Sequence, residues 1–137
     1  MGFVLDASVA AAWCLRTEKA ALAEIAFEQL ARDDQAVTPR LFWYEIRNVF
    51  IVQERQGRIA AADTTKTLTY LAMLPIRFEE PDSDIALNVA RAHRLTVYDA
   101  SYLALALTLR LPLATLDRAL ASAARQARVS LLGGSSA

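Results

Sequence analysis

Short apolar runs alternate with longer stretches of helical character along the whole chain. The run Phe3-Val4-Leu5 opens the sequence, and a second buried run at 112–116 lies near its end. Two weaker runs, at 35–38 and 76–79, lie between them and are each followed closely by a proline. The stretches that separate the runs are long enough for helical crossovers, which favours parallel strands. We therefore expect an α/β fold with a mostly parallel central sheet flanked by helices.

The stretches between the runs predict helices, and one of them is unusual. The segment 100–109 is almost wholly apolar, so it is expected to be buried on most sides. The segment 96–98 fits either a short strand or an extended loop, and 129–132 is expected to form a last strand. The other helices are expected at 7–14, 19–32, 41–56 (closed by Gly57), 60–74, 83–94 and in the alanine-rich segment after residue 117.

Composition restricts the chemistry that is open to this chain. Its 137 residues suit one domain, and a hydrophobic content of 55% can supply a core. Fifteen basic and fifteen acidic residues give a formal net charge of zero, which argues against a uniformly basic nucleic-acid binder. A single cysteine and a single histidine exclude an internal disulfide and Cys- or His-rich metal sites. An enzyme of this composition must rely on carboxylates, hydroxyls or a hard metal ion.

The sequence contains no secretory signal pattern and no apolar run long enough to span a bilayer. A cytoplasmic protein without a membrane partner is therefore expected. Residues 1–132 are expected to form one domain, and the glycine- and serine-rich residues 133–137 a flexible C-terminal tail.

Three aspartates occupy positions where a solvated charge is not expected. Asp6 and Asp117 follow predicted buried strands, and Asp99 stands directly before the apolar helical segment. Parallel α/β sheets bind ligands beyond the carboxyl ends of their strands, near the point where the strand order reverses. Glu45 adds a fourth carboxylate, because it shares a helical face with apolar residues. A carboxylate in such a place must be paired, neutralised or bound to a cation.

Each acid also has a purely structural interpretation. Asp6, Asp99 and Asp117 could each cap a helix, and Glu45 could pair with Arg16 or Arg47. Four carboxylates that converge would repel one another, so the cluster requires raised pKa values or a bound cation. Oxygen ligands alone favour Mg²⁺ or Mn²⁺ over zinc.

Four segments in this order resemble a PIN domain, and more narrowly a VapC-type toxin of a bacterial toxin–antitoxin pair. The resemblance extends over about residues 3–132 and is carried by Phe3-Val4-Leu5-Asp6-Ala7-Ser8, the helical Glu45, Tyr98-Asp99-Ala100-Ser101-Tyr102-Leu103-Ala104-Leu105-Ala106 and Ala114-Thr115-Leu116-Asp117. It implies a single PIN-like, Rossmann-like domain, a Mg²⁺- or Mn²⁺-dependent ribonuclease activity, and a cognate antitoxin that blocks the site.

The resemblance also implies a role for each acid. Asp6 would be the first-strand metal ligand, Glu45 the helix acid, Asp99 the acid that opens the penultimate long helix and Asp117 the acid that ends the fourth strand. Ser8 and Thr115 match positions where a small hydroxyl often supports the site. Some members carry a further acid near the last position, whereas Asp117 stands alone here. The number of bound ions, one or two, is therefore open.

Contacts outside the acidic site are less constrained by the sequence. Arg16, Arg47 and Arg118 lie near the acids along the chain and are candidates for RNA contacts. Trp43 and Tyr44, like Trp13, could stack on bases, although their helical spacing favours packing in the core or between subunits. Apolar positions on the helices at 41–56 and 60–74 suggest a homodimer surface.

The chemistry of the acids and the resemblance together suggest hydrolysis of RNA by metal-activated water, which leaves a 5′-phosphate and a 3′-hydroxyl. The alternative is a catalytically silent PIN-like interaction module whose acidic pocket binds a partner. A phosphoacceptor receiver domain is disfavoured, because it needs a lysine near the last strands and the chain has only Lys19 and Lys66.

Overall fold

The computed structural model describes residues 2–16, 20–32 and 34–133, and these contain four strands and seven helices. In chain order they are β1 (Phe3–Leu5), α1 (Ala7–Leu15), α2 (Ala20–Ala31), β2 (Ala36–Thr38), α3 (Leu41–Arg55), α4 (Ala61–Ala72), β3 (Ile76–Phe78), α5 (Ser83–His93), α6 (Val97–Leu109), β4 (Leu113–Ala114) and α7 (Arg118–Gln126). Each of the first three strands is followed by two helices and the fourth by one, so the predicted α/β fold is confirmed. Residue 19, expected to begin the second helix, and residues 134–137 of the expected tail lie outside the described residues.

The four strands form one parallel sheet in the order β3-β2-β1-β4. The chain adds β2 and then β3 on one side of β1 before it returns to place β4 on the other side. The strand order therefore reverses between β1 and β4. Ligands of open α/β sheets bind at such a switch point, beyond the carboxyl ends of the strands.

Strand β1 is buried on both faces, which explains its continuous apolar sequence. Phe3 and Leu5 pack in one hydrophobic cluster with residues of α1, α2, α3 and α4, whereas Val4 packs with α5, α6 and α7. All three side chains have no exposed surface. The sheet thus separates two helical layers, and the end of β1 delivers Asp6 to the middle of the ligand-binding edge.

Two of the expected local structures are wrong. In the segment 96–98 only Thr96 is extended; its hydroxyl accepts the Asp99 N–H at 3.1 Å, and α6 begins at Val97. The last strand expected at 129–132 is reduced, within the described residues, to a single bridge between Leu113 and Leu131. Strand β4 is only two residues long, so its far edge offers little backbone to a further strand.

Other features follow the sequence closely. Helix α3 ends before Gly57, which has a φ of +73° and donates its N–H to the Glu54 carbonyl at 2.9 Å. Asp82 caps α5 by accepting the Asp84 and Ile85 N–H groups. In the ranges that the structure describes, no helix is long and apolar enough to cross a membrane.

Candidate metal-dependent active site

Asp6 is a buried carboxylate at the carboxyl end of β1. It precedes α1, but its side chain makes no capping hydrogen bond, so the capping interpretation is wrong for this residue. Its Oδ2 atom instead accepts the hydroxyls of Ser8 and Thr115, each at 2.7 Å, and the residue is 5% exposed. Among the described residues Oδ1 accepts no hydrogen bond, which leaves one carboxylate oxygen for a ligand.

The two hydroxyls are themselves fixed by the backbone. Ser8 Oγ accepts the Leu116 N–H at 2.9 Å, and Thr115 Oγ1 accepts the Asp117 N–H at 3.0 Å. A hydroxyl that accepts a hydrogen bond from a backbone N–H can still donate its own hydrogen to another acceptor. Both hydroxyls donate to Asp6. The loop after β4 and the start of α1 thus hold Asp6 in one orientation.

Asp99 and Asp117 both lie at the start of a helix, but only Asp117 caps its helix. Asp117 caps α7 by accepting the Leu120 N–H at 2.9 Å through Oδ1, so its capping interpretation is confirmed. Asp99 does not cap α6, because Thr96 fills that position. The carboxylate of Asp99 is therefore available at the N-terminus of α6, where the helix dipole favours a negative charge.

Glu45 is held by a tyrosine rather than by an arginine. The Tyr102 hydroxyl donates to Glu45 Oε1 at 2.5 Å, so it links α6 to α3. The two expected arginine partners of Glu45 make other contacts, so that expectation is wrong. Arg16 lies 3.9 Å from Glu24, and Arg47 donates to the Trp43 carbonyl at 3.0 Å.

All four acids line one cavity at the carboxyl edge of the sheet. This carboxylate cavity, defined by Asp6, Glu45, Asp99 and Asp117, has a volume of about 640 Å³. Its other walls are Ala7, Ser8, Leu41, Tyr44, Asn48, Val49 and Tyr98. Strand ends separated by more than 100 residues meet here because β1 and β4 are neighbours in the sheet.

The electrostatics of the carboxylate cavity disfavour the ionised acids. Burial raises the pKa of Asp6 above its ordinary value; the Thr115 and Ser8 hydroxyls oppose this, and repulsion from Asp99 and Asp117 adds to it. Burial also raises the pKa of Glu45, against the hydrogen bond from Tyr102. For Asp99, desolvation raises the pKa first and repulsion from Asp117 adds to it. A cation would relieve this cost in all three cases.

The donor set fits a hard divalent cation that is only partly coordinated by protein. Across residues 2–16, 20–32 and 34–133, no group of three or more His, Cys, Asp or Glu side chains is arranged to hold an ion as it stands. Mg²⁺ commonly uses one or two carboxylates and fills its shell with water and substrate phosphate oxygens. The oxygen-only donors and the free Oδ1 of Asp6 suit that mode of binding.

Several residues of the site were not predicted. Tyr102 belongs to one of the segments that carry the family resemblance, but its apolar sequence neighbours do not indicate that its hydroxyl contacts Glu45. Asn48 could have been found, because it lies one turn after Glu45 on the same helical face. Tyr98, which is 69% exposed, lies beside Asp99 and was hidden by the uncertain structure of 96–98.

The three arginines proposed for RNA contacts do not line the carboxylate cavity. Arg16 lies over the ring of Trp13, at 5.4 Å from its centroid, and Arg118 is an exposed residue of α7. Arg47 lines a second cavity of about 520 Å³. We call this the aromatic cavity and define it by Arg40, Trp43, Arg47 and Phe78.

Of the three aromatic residues considered for base stacking, Tyr44 is exposed, whereas Trp13 and Trp43 are partly buried and pack against the core. Trp13 stacks on Phe27 with centroids 4.2 Å apart, as expected for core packing. Tyr44 is 78% exposed and lines both the carboxylate and the aromatic cavity. Trp43 is half-buried, and its indole N–H has no hydrogen-bond partner among the described residues.

A carboxylate-lined cleft at the switch point of a parallel sheet is typical of α/β domains that bind a divalent cation, and the sequence comparison identifies the family. The chain belongs to the PIN domain family, which its sequence matches over residues 3–126. Its fold is similar to the crystal structure of PAE2754 from Pyrobaculum aerophilum, with a TM-score of 0.70 and 28% identity. That alignment covers 90% of this chain and 87% of the other. No curated protein matches the sequence significantly. PIN domains are generally metal-dependent nucleases, so the chain has a nuclease-type fold and cleft.

Proposed function

We propose that this protein is a metal-dependent endoribonuclease of the VapC toxin type, held inactive by a cognate antitoxin. The observation that carries the proposal is the convergence of Asp6, Glu45, Asp99 and Asp117 on one cavity at the strand-order switch. Because the convergence of these carboxylates disfavours their ionised forms, they serve best as ligands of a cation.

The acids have different proposed roles. Asp6 and Asp99 would hold Mg²⁺ or Mn²⁺, since Asp6 keeps a free oxygen and Asp99 has no capping task. Asp117 and Glu45 are held by a helix cap and by Tyr102, and they would support the ion and the water around it. Ser8 and Thr115 keep Asp6 oriented and favour its ionised form. When bound, the ion would lower the pKa of a water molecule and neutralise charge on the phosphate.

The proposed reaction is hydrolysis of one phosphodiester bond. The water oxygen forms a bond to phosphorus, the bond from phosphorus to the 3′ oxygen breaks, and that oxygen takes up a proton. The products are a 5′-phosphate and a 3′-hydroxyl. A carboxylate can accept the proton of the attacking water, which removes the need for a histidine base.

The proposed assembly includes a second copy of the chain. Helices α3 and α4, with the residue that follows α4, expose several large apolar side chains: Ile51, Val52, Tyr70 and Met73. A homodimer that covers this surface would remove them from water. Sedimentation of the purified protein tests the dimer, and a sedimentation coefficient of a monomer at micromolar concentration would contradict it.

The proposed activity is tested by sequencing RNA ends after brief expression of the chain in bacteria. We expect new 5′-phosphate ends with wild-type protein and none with Asp99→Ala. Asp84→Ala is the matched control, since Asp84 also lies in the first turn of a helix but is exposed and outside the carboxylate cavity. Equal ends from wild-type and Asp99→Ala protein would refute the assignment. The antitoxin is tested by asking whether a protein that co-purifies with the chain suppresses these ends.

A further inference from the structure

The aromatic cavity combines flat apolar walls with two cations. Arg40 lies 5.5 Å from the centroid of Phe78, and Arg47 lies 5.7 Å from that of Trp43. The remaining walls come from Tyr44, Leu68, Ala72 and Ile76. Such a cavity suits a ligand that carries both an aromatic ring and a negative charge.

The charges of Arg40 and Arg47 are not neutralised within the protein. Both residues are exposed, and neither guanidinium forms an ion pair with any described residue. Glu80 accepts the backbone N–H of Arg40 at 2.6 Å and no hydrogen bond from its guanidinium. Stacking on Phe78 and Trp43 holds the guanidinium groups in place, so two fixed cations face the cavity.

The aromatic cavity lies on the same edge of the sheet as the carboxylate cavity. Strand β3 ends at Phe78 and β1 ends at Leu5, and the carboxyl ends of parallel strands meet at one edge. Tyr44 is a wall of both cavities, so it joins them. A flexible strand with a phosphodiester at the acids would therefore pass over Tyr44 into the aromatic cavity.

We infer that the aromatic cavity is a binding subsite for single-stranded RNA, where a base stacks on the exposed Phe78 ring and a phosphate contacts Arg40 and Arg47. The inference rests on the proposed function, because it places the scissile phosphate at the acids. Continuity with the acids favours RNA over an acidic peptide, because a single strand that places a phosphodiester at the acids also passes over Tyr44 into the aromatic cavity.

The test measures binding without cleavage. Every protein carries Asp99→Asn, and the probe is a fluorescein-labelled single-stranded RNA of mixed sequence, about 12 nucleotides long, in EDTA. The cavity variant adds Arg40→Gln and Arg47→Gln. The matched control adds Arg91→Gln and Arg125→Gln, two exposed arginines on the opposite helical layer, and so removes the same charge. A third variant adds Phe78→Ala, and thermal unfolding verifies that each protein is folded.

The cavity variant is expected to bind about tenfold more weakly, with a salt dependence reduced by about 0.7 for each lost phosphate contact. Phe78→Ala is expected to bind about fivefold more weakly with its salt dependence unchanged. The matched control should stay within about twofold of the parent. Equal weakening in the cavity variant and the control would overturn the inference, as would unchanged binding in Phe78→Ala.

A second probe separates RNA from protein. If a labelled peptide of alternating aspartate and tryptophan binds in a cavity-dependent way while RNA does not, the aromatic cavity docks a protein and the inference is overturned. Cleavage is read separately with wild-type protein in Mg²⁺. A failure to cut RNA there contradicts the proposed function, whereas the inference fails only on the binding comparison.

Discussion

Replacing Thr115 with valine tests whether its hydroxyl serves an ionised Asp6. Valine keeps the shape of threonine, so the change removes hydrogen bonds rather than packing. The Thr115 hydroxyl donates to Asp6 Oδ2 at 2.7 Å and accepts the Asp117 N–H at 3.0 Å. A hydrogen bond to a charged group contributes about 1.5–3 kcal/mol, and an unpaired buried N–H costs about 1–3 kcal/mol. We expect Thr115→Val to lower the free energy of unfolding by about 2–4 kcal/mol near pH 8.

This cost should depend on pH in a defined direction. The hydrogen bond from Thr115 lowers the pKa of Asp6, so the variant has a higher folded-state pKa than wild type. The charge-assisted part of the cost is therefore present above the folded pKa of Asp6 and disappears as the pH falls through it. At acidic pH, below the folded pKa of Asp6, we expect about 1–2 kcal/mol to remain.

Thr38→Val is the matched control for this experiment. Thr38 is equally buried, but its hydroxyl donates to the Leu5 carbonyl at 2.8 Å and touches no carboxylate. Its cost, about 1 kcal/mol, should be the same at both pH values. The assay is urea unfolding in EDTA, followed by circular dichroism. Parallel pH dependence of the two variants would refute the claim that Thr115 stabilises an ionised Asp6.

Three further outcomes are expected from the carboxylate cavity. In EDTA near pH 8, Asp6→Asn should be about 1–3 kcal/mol more stable than wild type. The reason is that the pKa of Asp6 is raised in the folded protein, so wild type loses stability as the pH rises. Urea unfolding near pH 4 should show no such gain. Mg²⁺ or Mn²⁺ should raise the melting temperature of wild type but not of Asp6→Asn, and an equal shift in both would place the ion elsewhere. Tyr102→Phe removes the hydrogen-bond donor to Glu45, so the pKa of Glu45 should rise further. We expect the cleavage rate to fall about tenfold and the acid limb of the pH–rate profile to move to higher pH. An unchanged pH–rate profile would exclude this role for Tyr102.

The sequence predicted the fold well because its signals are local and strong. Continuous apolar strands such as β1, and the apolar segment that forms α6, predict a single parallel sheet covered by helices on both faces. The segment 96–98 was misjudged, because β-branched residues and a tyrosine favour a strand by propensity. The Thr96 hydroxyl accepts the Asp99 N–H, and this cap favours a helix that begins at Val97.

The convergence of the four acids could be predicted from the sequence, but the residues that hydrogen-bond to them could not all be predicted. Asp6 and Asp117 could be located because strand ends are visible in a sequence. The hydrogen-bond partner of Glu45 could not be located, since Tyr102 lies 57 positions away and only the folded chain brings α6 to α3. The aromatic cavity was hidden for the same reason, because Arg40 and Phe78 meet only through the pairing of β2 with β3.

The most direct test of the account is cleavage of single-stranded RNA by the purified protein, measured as a function of Mg²⁺ or Mn²⁺ concentration. The account predicts cleavage by wild type that is absent in EDTA, rises with the ion, and leaves 5′-phosphate ends. Asp99→Asn protein, folded as judged by circular dichroism, should be inactive at every concentration. Wild-type protein that binds the ion but leaves RNA intact, or Asp99→Asn protein that cuts as wild type does, would contradict it.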